Sequence, residues 1–456
     1  MRAHQSNVQI QDGLPDIGAD SNATSRGRMQ DSIVMLTTCS ILSGSVVLGA
    51  GIIGTSTAYY LSKAQPPSTV YLVEVSPELF ASASGNSGGF LSKNWFSPAL
   101  LALGELSFEE HRKLAQKENG LTRWGYAPST AITLSPRDSG EKVHVWFRDG
   151  SSRAEAANGA QSRGAAPPWL WREQGDDVEI ISDEGTVAQV DPLRLCQFLL
   201  KECLDVGVNL HHPAKAVSIL ANKRNEIVGF RIQNTKTGIE TTLPCSNIVV
   251  AAGLWSPGVF ATLFPQSSYN LPVSSLAGHS LIVKSPRWSQ EQEEQGCHAI
   301  FMVSQPGYSP EIFSRIGGHI YVAGLNSTSQ PLPDIASQSK ANIQQDAVAK
   351  LRSTARDVLG LGPKSKTDDL EVVRESLCFR PITDNGLPIL SRVPDVLLGL
   401  GRAQQLSGGV YVASGHGPWG ISMSLGTGKV MAEMIQGRQL SADISALEIQ
   451  KESYRL

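Results

Sequence analysis

The chain has 456 residues, of which 41% are hydrophobic and 18% are charged, and its formal net charge is -3. A chain of this length can bury a large core and predicts about two or three domains. The absence of a basic surplus argues against a nucleic-acid partner. The sequence also lacks the run of roughly 18 apolar residues that a membrane span requires.

The cysteines indicate a reducing compartment. The chain has six of them, scattered without CxxC spacing, so we expect neither a zinc site nor a disulfide framework, and no metal site is predicted. No secretory leader pattern precedes the first strand, and the last residues are not the peroxisomal tripeptide. The sequence therefore predicts a cytoplasmic protein with reduced thiols.

The first predicted elements follow a polar segment. Residues 1–42 lack periodicity and are predicted to be a disordered extension without chemistry. A strand from Ser45 to Leu48 then leads into a glycine-rich turn, and a helix pattern runs from Thr55 to Lys63. The next apolar run, Val70 to Val73, ends on Glu74. This order is typical of the first half of a dinucleotide-binding fold.

The glycine-rich turn predicts an adenine dinucleotide. Gly49 allows a tight turn, Gly51 lets the backbone approach a pyrophosphate, and Gly54 lets the helix lie close to the sheet. The amino end of the helix, at Ile52 and Ile53, then faces the phosphates. Glu74, at the end of the second strand, is placed to accept hydrogen bonds from the adenosine ribose.

Further elements are predicted from hydrophobic periodicity. The polar stretch between Ser135 and Pro168 is predicted to be a surface insertion. The run over 247–256 is predicted to be a buried strand that leads into a small-residue turn at Gly253, as in parallel sheets that present backbone to a cofactor. The other predicted elements are a helix from Pro192 to Val206, a strand over 208–210, a hairpin over 216–220 and 227–232, strands over 279–283 and 319–323, and helices over 341–358 and 424–436.

Motifs in a fixed order extend the pattern along the chain. They are GAGIIG at 49–54, Glu74, SGNSGG at 84–89, VVAAGLWS at 249–256, RPITDNGLPI at 380–389 and SGHGPWGI at 414–421. In this order the chain resembles the FAD-dependent D-amino-acid oxidase, glycine oxidase and sarcosine oxidase family over residues 45–437. The GPWG run and the segment 309–313 are similar to fungal members known only as FAD-dependent oxidoreductases.

The resemblance implies an α/β fold with two domains. One is a Rossmann-like FAD/NAD(P)-binding domain of the glutathione-reductase type, and the other is a substrate domain built on a mixed sheet. We expect the FAD-binding domain to be discontinuous, over 43–115, 181–270 and 371–440. The substrate domain is expected over 116–180 and 271–370, and residues 441–456 form a tail.

The resemblance implies FAD as the cofactor, and the residues agree. A separate NAD(P)H site would need a second glycine fingerprint, and neither the run at 399–404 nor that at 426–429 has the required spacing. This argues against a flavin monooxygenase. The helix after the last motif can direct its positive end at the flavin's pyrimidine oxygen. The cofactor-binding residues expected are Gly49, Gly51, Ile52, Ile53, Gly54, Glu74, Ser84, Asn86, Gly88, Gly89, Val217, Gly253, Cys378, Gly415, Gly417, Gly420 and Ile421.

The resemblance also implies roles at the reacting end. Arg380 matches an arginine that binds the substrate carboxylate, for which a guanidinium fork is suited; a structural ion pair is the alternative. Trp419, His416 and His279 are candidates to line the substrate pocket, against ordinary packing roles. Some relatives attach the flavin to a cysteine near Cys378 and others do not, so both states remain open.

The expected reaction is oxidation of a C–N bond in an amino acid or amine. The resemblance implies hydride transfer to flavin N5, giving an imine, with O2 or another electron acceptor as the second partner. Pro418 and Trp419 stand where some relatives place a second carboxylate clamp, which leaves room for a bulky or aromatic amine. The alternative is a flavin-fold protein with a trafficking or regulatory role.

Overall fold

The computed structural model describes residues 44–135, 153–157, 159, 162–224, 226–302, 308–399 and 408–450. The predicted N-terminal extension, most of the predicted surface insertion and residues 451–456 of the predicted tail lie outside the described residues. Within the described residues, no helix is both long and apolar enough to cross a membrane.

The secondary structure of the described residues confirms the predicted helices and strands, with shifts of a few residues at their ends. The helix predicted from Ala341 begins only at Gln345, because a 3-10 segment precedes it. The strands are β1 (Ser45–Leu48), β2 (Val70–Val73), β3 (Phe90–Ser92), β4 (Ala127–Ser135), β5 (Ser162–Arg163), β6 (Asp177–Ile180), β7 (Val187–Gln189), β8 (Asn209–His211), β9 (Ala214–Ala221), β10 (Ile227–Asn234), β11 (Glu240–Leu243), β12 (Asn247–Val250), β13 (Ser274–Lys284), β14 (Cys297–Met302), β15 (Glu311–Arg315), β16 (His319–Ser327), β17 (Glu371–Ile382), β18 (Ile389–Arg392) and β19 (Gly409–Ser414). The helices are α1 (Ile52–Ala64), α2 (Ala83–Asn86), α3 (Pro98–Lys117), α4 (Gly120–Trp124), α5 (Pro192–Asp205), α6 (Ser256–Leu263), α7 (Gln290–Glu293), α8 (Gln345–Leu359) and α9 (Ser424–Ile435).

A parallel sheet carries the dinucleotide motif. Its strand order is β18-β19-β12-β1-β2-β8, and every neighbouring pair is parallel except β18 with β19. Strand β1 lies inside this sheet and all its residues are buried, which is why it reads as a continuous apolar run. Because β1, β12 and β19 are parallel neighbours, their carboxyl ends lie side by side and bring three glycine turns together.

A second, mixed sheet forms the other domain of this two-domain α/β fold. Its main path is β17-β13-β16-β15-β14-β4-β6-β5, with β3 and β7 attached beside β4. Most pairs are antiparallel, but β14 and β4 are parallel. Strand β13 pairs with β17 from Ser274↔Ile382 to Lys284↔Glu371. This pairing places the Arg380 motif on the mixed sheet.

Strand β17 disagrees with the predicted domain boundary. The boundary at residue 371 assigns β17 to the FAD-binding domain, whereas its hydrogen-bonded partner β13 belongs to the mixed sheet. After Ile382 the chain passes directly into β18 of the parallel sheet. By sheet membership, β17 belongs to the mixed sheet and β18 to the parallel sheet.

Candidate functional site

The parallel sheet and the mixed sheet meet around a cavity of about 1930 Å³. A typical small-molecule site holds roughly 300–1,000 Å³, so this cavity has room for a dinucleotide and a second molecule. It runs from Val217 on β9 to Arg380 on β17. Predicted residues on its lining are Gly49, Gly51, Ile52, Ile53, Glu74, Ser84, Gly88, Gly89, Val217, Gly253, Cys378, Arg380, Gly415, His416, Gly417, Trp419, Gly420 and Ile421.

The first glycine turn has the geometry that its sequence predicts. Gly49 has φ of 102°, a conformation that favours glycine, and its N–H donates to the Val73 carbonyl at 2.8 Å. A Cβ added to Gly54 would lie 1.9 Å from the Gly49 carbonyl oxygen. Gly54 is not on the cavity lining; its lack of a side chain lets α1 pack against the turn.

Glu74 is held in place by backbone donors. One carboxylate oxygen accepts from the Ala50 N–H at 2.9 Å, and the other accepts from the Ser76 N–H at 2.8 Å. The side chain reaches the cavity at the end of β2. Its lone pairs not used by these bonds can accept from ribose hydroxyls, so it ties the glycine turn to the expected ribose position.

The segment 84–89 contacts the start of α1. The Ser84 hydroxyl oxygen accepts from the Ile52 N–H at 2.9 Å, and therefore caps the helix end that is expected to face a pyrophosphate. Asn86 does not reach the cavity lining. Its side-chain amide donates to the Ala81 carbonyl at 3.1 Å, which contradicts the expected cofactor contact.

A buried arginine, Arg315, and a half-buried one, Arg374, hold the backbone of this segment, and neither is predicted from the sequence. Arg315 donates to the Ser87 carbonyl at 2.6 Å and to the Gly88 carbonyl at 2.7 Å. Arg374 donates to the Gly85 carbonyl at 3.1 Å. Desolvation lowers the pKa of both guanidinium groups. They fix the segment that passes the expected flavin position.

The last motif forms a turn between β19 and α9. The Ser414 hydroxyl donates to the Gly253 carbonyl at 2.9 Å, which joins two glycine turns. His416 is buried, and its Nε2 lies 3.1 Å from the Thr427 hydroxyl. Burial lowers the pKa of His416 to about 3, so the imidazole is neutral near pH 7. Its Nδ1 is buried and has no hydrogen-bond partner within the described residues.

Arg380 lies across bare backbone on the mixed sheet. A Cβ added to Gly278 would lie 2.6 Å from Arg380 Nη1 and 2.7 Å from Nη2. Gly278 thus leaves the space in which the guanidinium lies flat. Arg380 donates to the Asn326 side-chain oxygen, and Tyr321 also bonds to it. Within the described residues, no carboxylate is within ion-pair distance of Arg380, so its charge faces the cavity without an ion-pair partner.

His279 was expected to line the substrate pocket, and the structure places it elsewhere. Its Nε2 accepts from the Gln344 N–H at 3.0 Å, and it is not among the residues that line the cavity. Side chains alternate along a strand, and Ser274 and Leu276 of β13 line the cavity, so His279 points to the opposite face. Burial lowers its pKa, in keeping with a neutral acceptor. A pocket role for His279 is therefore wrong.

Trp419 contacts an ion pair that the sequence did not reveal. Its ring packs edge-on against Phe96, with 5.0 Å between centroids. Arg153 donates to Glu311 through Nε at 3.0 Å and through Nη2 at 2.7 Å. Arg153 and Glu311 both line the cavity. Arg153 falls in the stretch predicted to be a surface insertion, yet it is only 8% exposed.

Arg153, Glu311 and Arg315 were not predicted as site residues, and all three for the same reason. Arg153 and Glu311 are separated by 158 positions, and Arg315 and Ser87 by 228. No local spacing links such partners, although an arginine that follows closely on apolar strand residues, as Arg315 does at the end of β15, is a signal of burial with a specific partner. Within the described residues, no group of His, Cys, Asp or Glu is placed to hold a metal ion.

Known proteins share this architecture. A protein of Schizosaccharomyces pombe named as a putative oxidoreductase is 26% identical over 434 residues, which are 88% of this chain and 97% of that protein. The crystal structure of glycine oxidase from Geobacillus kaustophilus matches with a TM-score of 0.65 at 18% identity, over 90% of this chain and 98% of that one. L-proline dehydrogenase from P. horikoshii matches with a TM-score of 0.64 at 15% identity, over 89% of this chain and 96% of that one.

The structural matches establish the fold, and the family follows from the sequence. The family model described as FAD dependent oxidoreductase matches residues 45–434. This range includes the glycine fingerprint, Glu74, the Arg380 motif and the terminal glycine turn. The chain therefore belongs to the D-amino-acid oxidase family of FAD-dependent oxidoreductases.

Proposed function

We propose that this protein oxidises a C–N bond of an amino acid or amine with FAD as its resident cofactor. The observation that carries the proposal is Arg380, a half-buried cation without an ion-pair partner among the described residues, at the end of a dinucleotide-sized cavity. A guanidinium in this setting suits a substrate carboxylate. The proposal extends to this chain the amine and amino-acid oxidation named for its structural neighbours.

The residues present fit FAD. The glycine turn at Gly49, the carboxylate of Glu74 and the amino end of α1 suit the adenosine and pyrophosphate half. At the other end, the unpartnered Nδ1 of His416 is a polar atom that a flavin edge can satisfy. Bound FAD would supply the hydride acceptor. We propose that it is held without a covalent bond, because burial raises the pKa of the Cys378 thiol and so disfavours the reactive thiolate.

The chain's own residues would bind and orient the substrate. Arg380 would hold the carboxylate, and Asn326 and Tyr321 fix the guanidinium that does so. Trp419 and Phe96 line the same cavity and would form an apolar surface that keeps water from the reacting carbon. With a pKa of about 3, His416 stays neutral and does not repel an incoming cationic amine. Orientation, rather than a dedicated base, is what these residues provide.

The alternative is a flavin-fold protein with a trafficking or regulatory role. A cavity blocked by Trp419 would favour that role. The Trp419 side chain instead packs against Phe96 at the cavity edge, and the cavity beside Arg380 is open. This supports the enzyme.

A visible spectrum and anaerobic reduction test the proposal. The purified protein is expected to show a flavin spectrum that a panel of amino acids and N-methyl amines bleaches without oxygen. Readmitted air should restore the colour and release peroxide if O2 is the acceptor. Acid precipitation should leave a white pellet and a yellow supernatant if FAD is not covalently bound. A flavin that no amine in the panel reduces would refute amine oxidation, and a yellow pellet would refute non-covalent binding.

A further inference from the structure

A buried ion pair lines the same cavity as Arg380. Arg153 and Glu311 are joined by two hydrogen bonds, and their side chains are only 9% and 13% exposed. Arg153 also donates to the Pro418 carbonyl at 3.5 Å. Burial by itself would raise the pKa of Glu311, but the charges of Arg153 and Arg380 and the hydrogen bonds from Arg153 together hold that pKa below its ordinary value. Glu311 is therefore a carboxylate, neutralised by Arg153.

Aromatic rings complete the surroundings of the Arg153 guanidinium. Its central carbon lies 5.6 Å from the centroid of Phe90, 5.1 Å from that of Phe313 and 5.6 Å from that of Trp419. Rings at such distances attract a cation through their electron-rich faces, and a carboxylate adds an ion-pair partner. Glu311 and these three rings form what we call the cation box, which the chain fills with its own arginine.

The charges at this end of the cavity then define what can bind. Arg153 and Glu311 cancel, whereas Arg380 is paired with the neutral side chains of Asn326 and Tyr321. Two guanidinium groups and one carboxylate leave a single positive charge uncompensated. A ligand with one negative group matches it, and the ligand's remaining surface meets Trp419 and Phe96. A cationic group at the far end of the ligand would have to bind in the cation box, which Arg153 already occupies.

We propose that Arg153 determines substrate specificity by occupying the cation box. It restricts the substrate to amino acids whose side chain is apolar or aromatic, and it excludes side chains that end in an ammonium or guanidinium group. This rests on the proposed function, because the ligand at this end of the cavity is taken to be the amine substrate.

The substitution Arg153→Met tests the proposal by emptying the cation box. Calorimetric titration of the purified flavoprotein would compare phenylacetate, which is apolar, with 4-guanidinobutyrate, which carries a terminal cation. The wild type is expected to prefer phenylacetate. In Arg153→Met the affinity ratio should shift toward 4-guanidinobutyrate by about 30-fold or more, the lower end of what truncating a buried charge partner costs at a binding site. Because Glu311 would lose its cation, Arg153→Met should also bind phenylacetate more weakly, and methylguanidinium in solution should restore that binding.

Matched variants separate charge from packing. Arg153→Met combined with Glu311→Gln removes both charges and should lose the gain for 4-guanidinobutyrate. Glu311→Gln alone adds net positive charge and should tighten a dicarboxylate such as glutarate. It also gives an independent test if Arg153→Met does not fold. Lys284→Met breaks the exposed ion pair with Glu371 and should leave both affinities unchanged.

The outcomes distinguish this proposal from the proposed function. The two acids are not oxidised, so their binding needs no turnover. A folded Arg153→Met variant with the wild-type affinity ratio would overturn the role of Arg153, even if amines reduce the wild-type flavin. Conversely, the shift in ratio would support Arg153 even if no amine reduced the flavin, in which case amine oxidation alone would fail.

Discussion

The substitution Gly278→Ala should displace the Arg380 guanidinium without removing its charge. The new Cβ would lie 2.6 Å from Nη1, 2.7 Å from Nη2 and 2.9 Å from Cζ of Arg380. Non-bonded carbon contacts normally start at roughly 3.5 Å, so the guanidinium must move by about 1 Å. An error of about 1 Å in a substrate-positioning group costs roughly 100-fold in rate, or about 2.7 kcal/mol in the activation barrier.

The assay is kcat/KM for whichever amine reduces the flavin most effectively, together with the affinity for a competing carboxylate. Both should fall, while the free energy of unfolding changes little, because the contacted atoms end a flexible side chain. Gly258→Ala is the matched control, since a Cβ there meets no atom within 4 Å. If Gly278→Ala kept wild-type kcat/KM in a folded flavoprotein, Arg380 would not be the carboxylate-binding group.

Three further predictions concern the cofactor cradle and its support. Gly54→Ala places a Cβ 1.9 Å from the Gly49 carbonyl oxygen, so the purified variant should contain little flavin; a normal flavin-to-protein absorbance ratio would contradict this. Arg315→Met leaves the Ser87 carbonyl without its donor, while the Gly88 carbonyl keeps only its bond from Gln189, and should lower the free energy of urea unfolding by about 2 kcal/mol; an unchanged midpoint and slope would refute it. Burial lowers the pKa of His416 from 6.5 to about 3. The unfolded chain therefore binds a proton on this residue that the folded chain does not, and stability is lost as pH falls below about 6.5. Between pH 7 and 5 this residue lowers the free energy of unfolding by about 2 kcal/mol. In urea unfolding at the two pH values, His416→Gln should therefore lose about 2 kcal/mol less stability than the wild type.

The sequence predicted the features whose causes are local. One strand-helix-strand unit contains the turn at Gly49, the close packing at Gly54 and the acid at Glu74. Within such a unit, the spacing of the glycines predicts where the backbone turns tightly and where it packs closely. The parallel sheet followed, because buried strands such as β12 read as unbroken apolar runs. These are positions at which sequence order and spatial order coincide.

Features that depend on register and on distant partners could not be predicted in the same way. His279 and Gly278 are adjacent, yet only the alternation of β13 decides which faces the cavity, and that requires knowing where Arg380 lies on β17. Arg153 lies in a polar, Gly/Ala/Ser-rich stretch whose composition predicts surface exposure. Its burial arises from Glu311 on β15, a partner that composition cannot identify.

The hydrogen bonds of Glu74 limit which substitutions can be tolerated at this position during evolution. Its carboxylate accepts from Ala50 and Ser76, so the side chain expected to read the ribose also stabilises the turn that precedes α1. A descendant that abandoned flavin would still be selected to keep an acid here for the sake of folding. Persistence of this acid across relatives is thus poor evidence of a retained cofactor, and the residues around Arg380 are better markers of lost or altered activity.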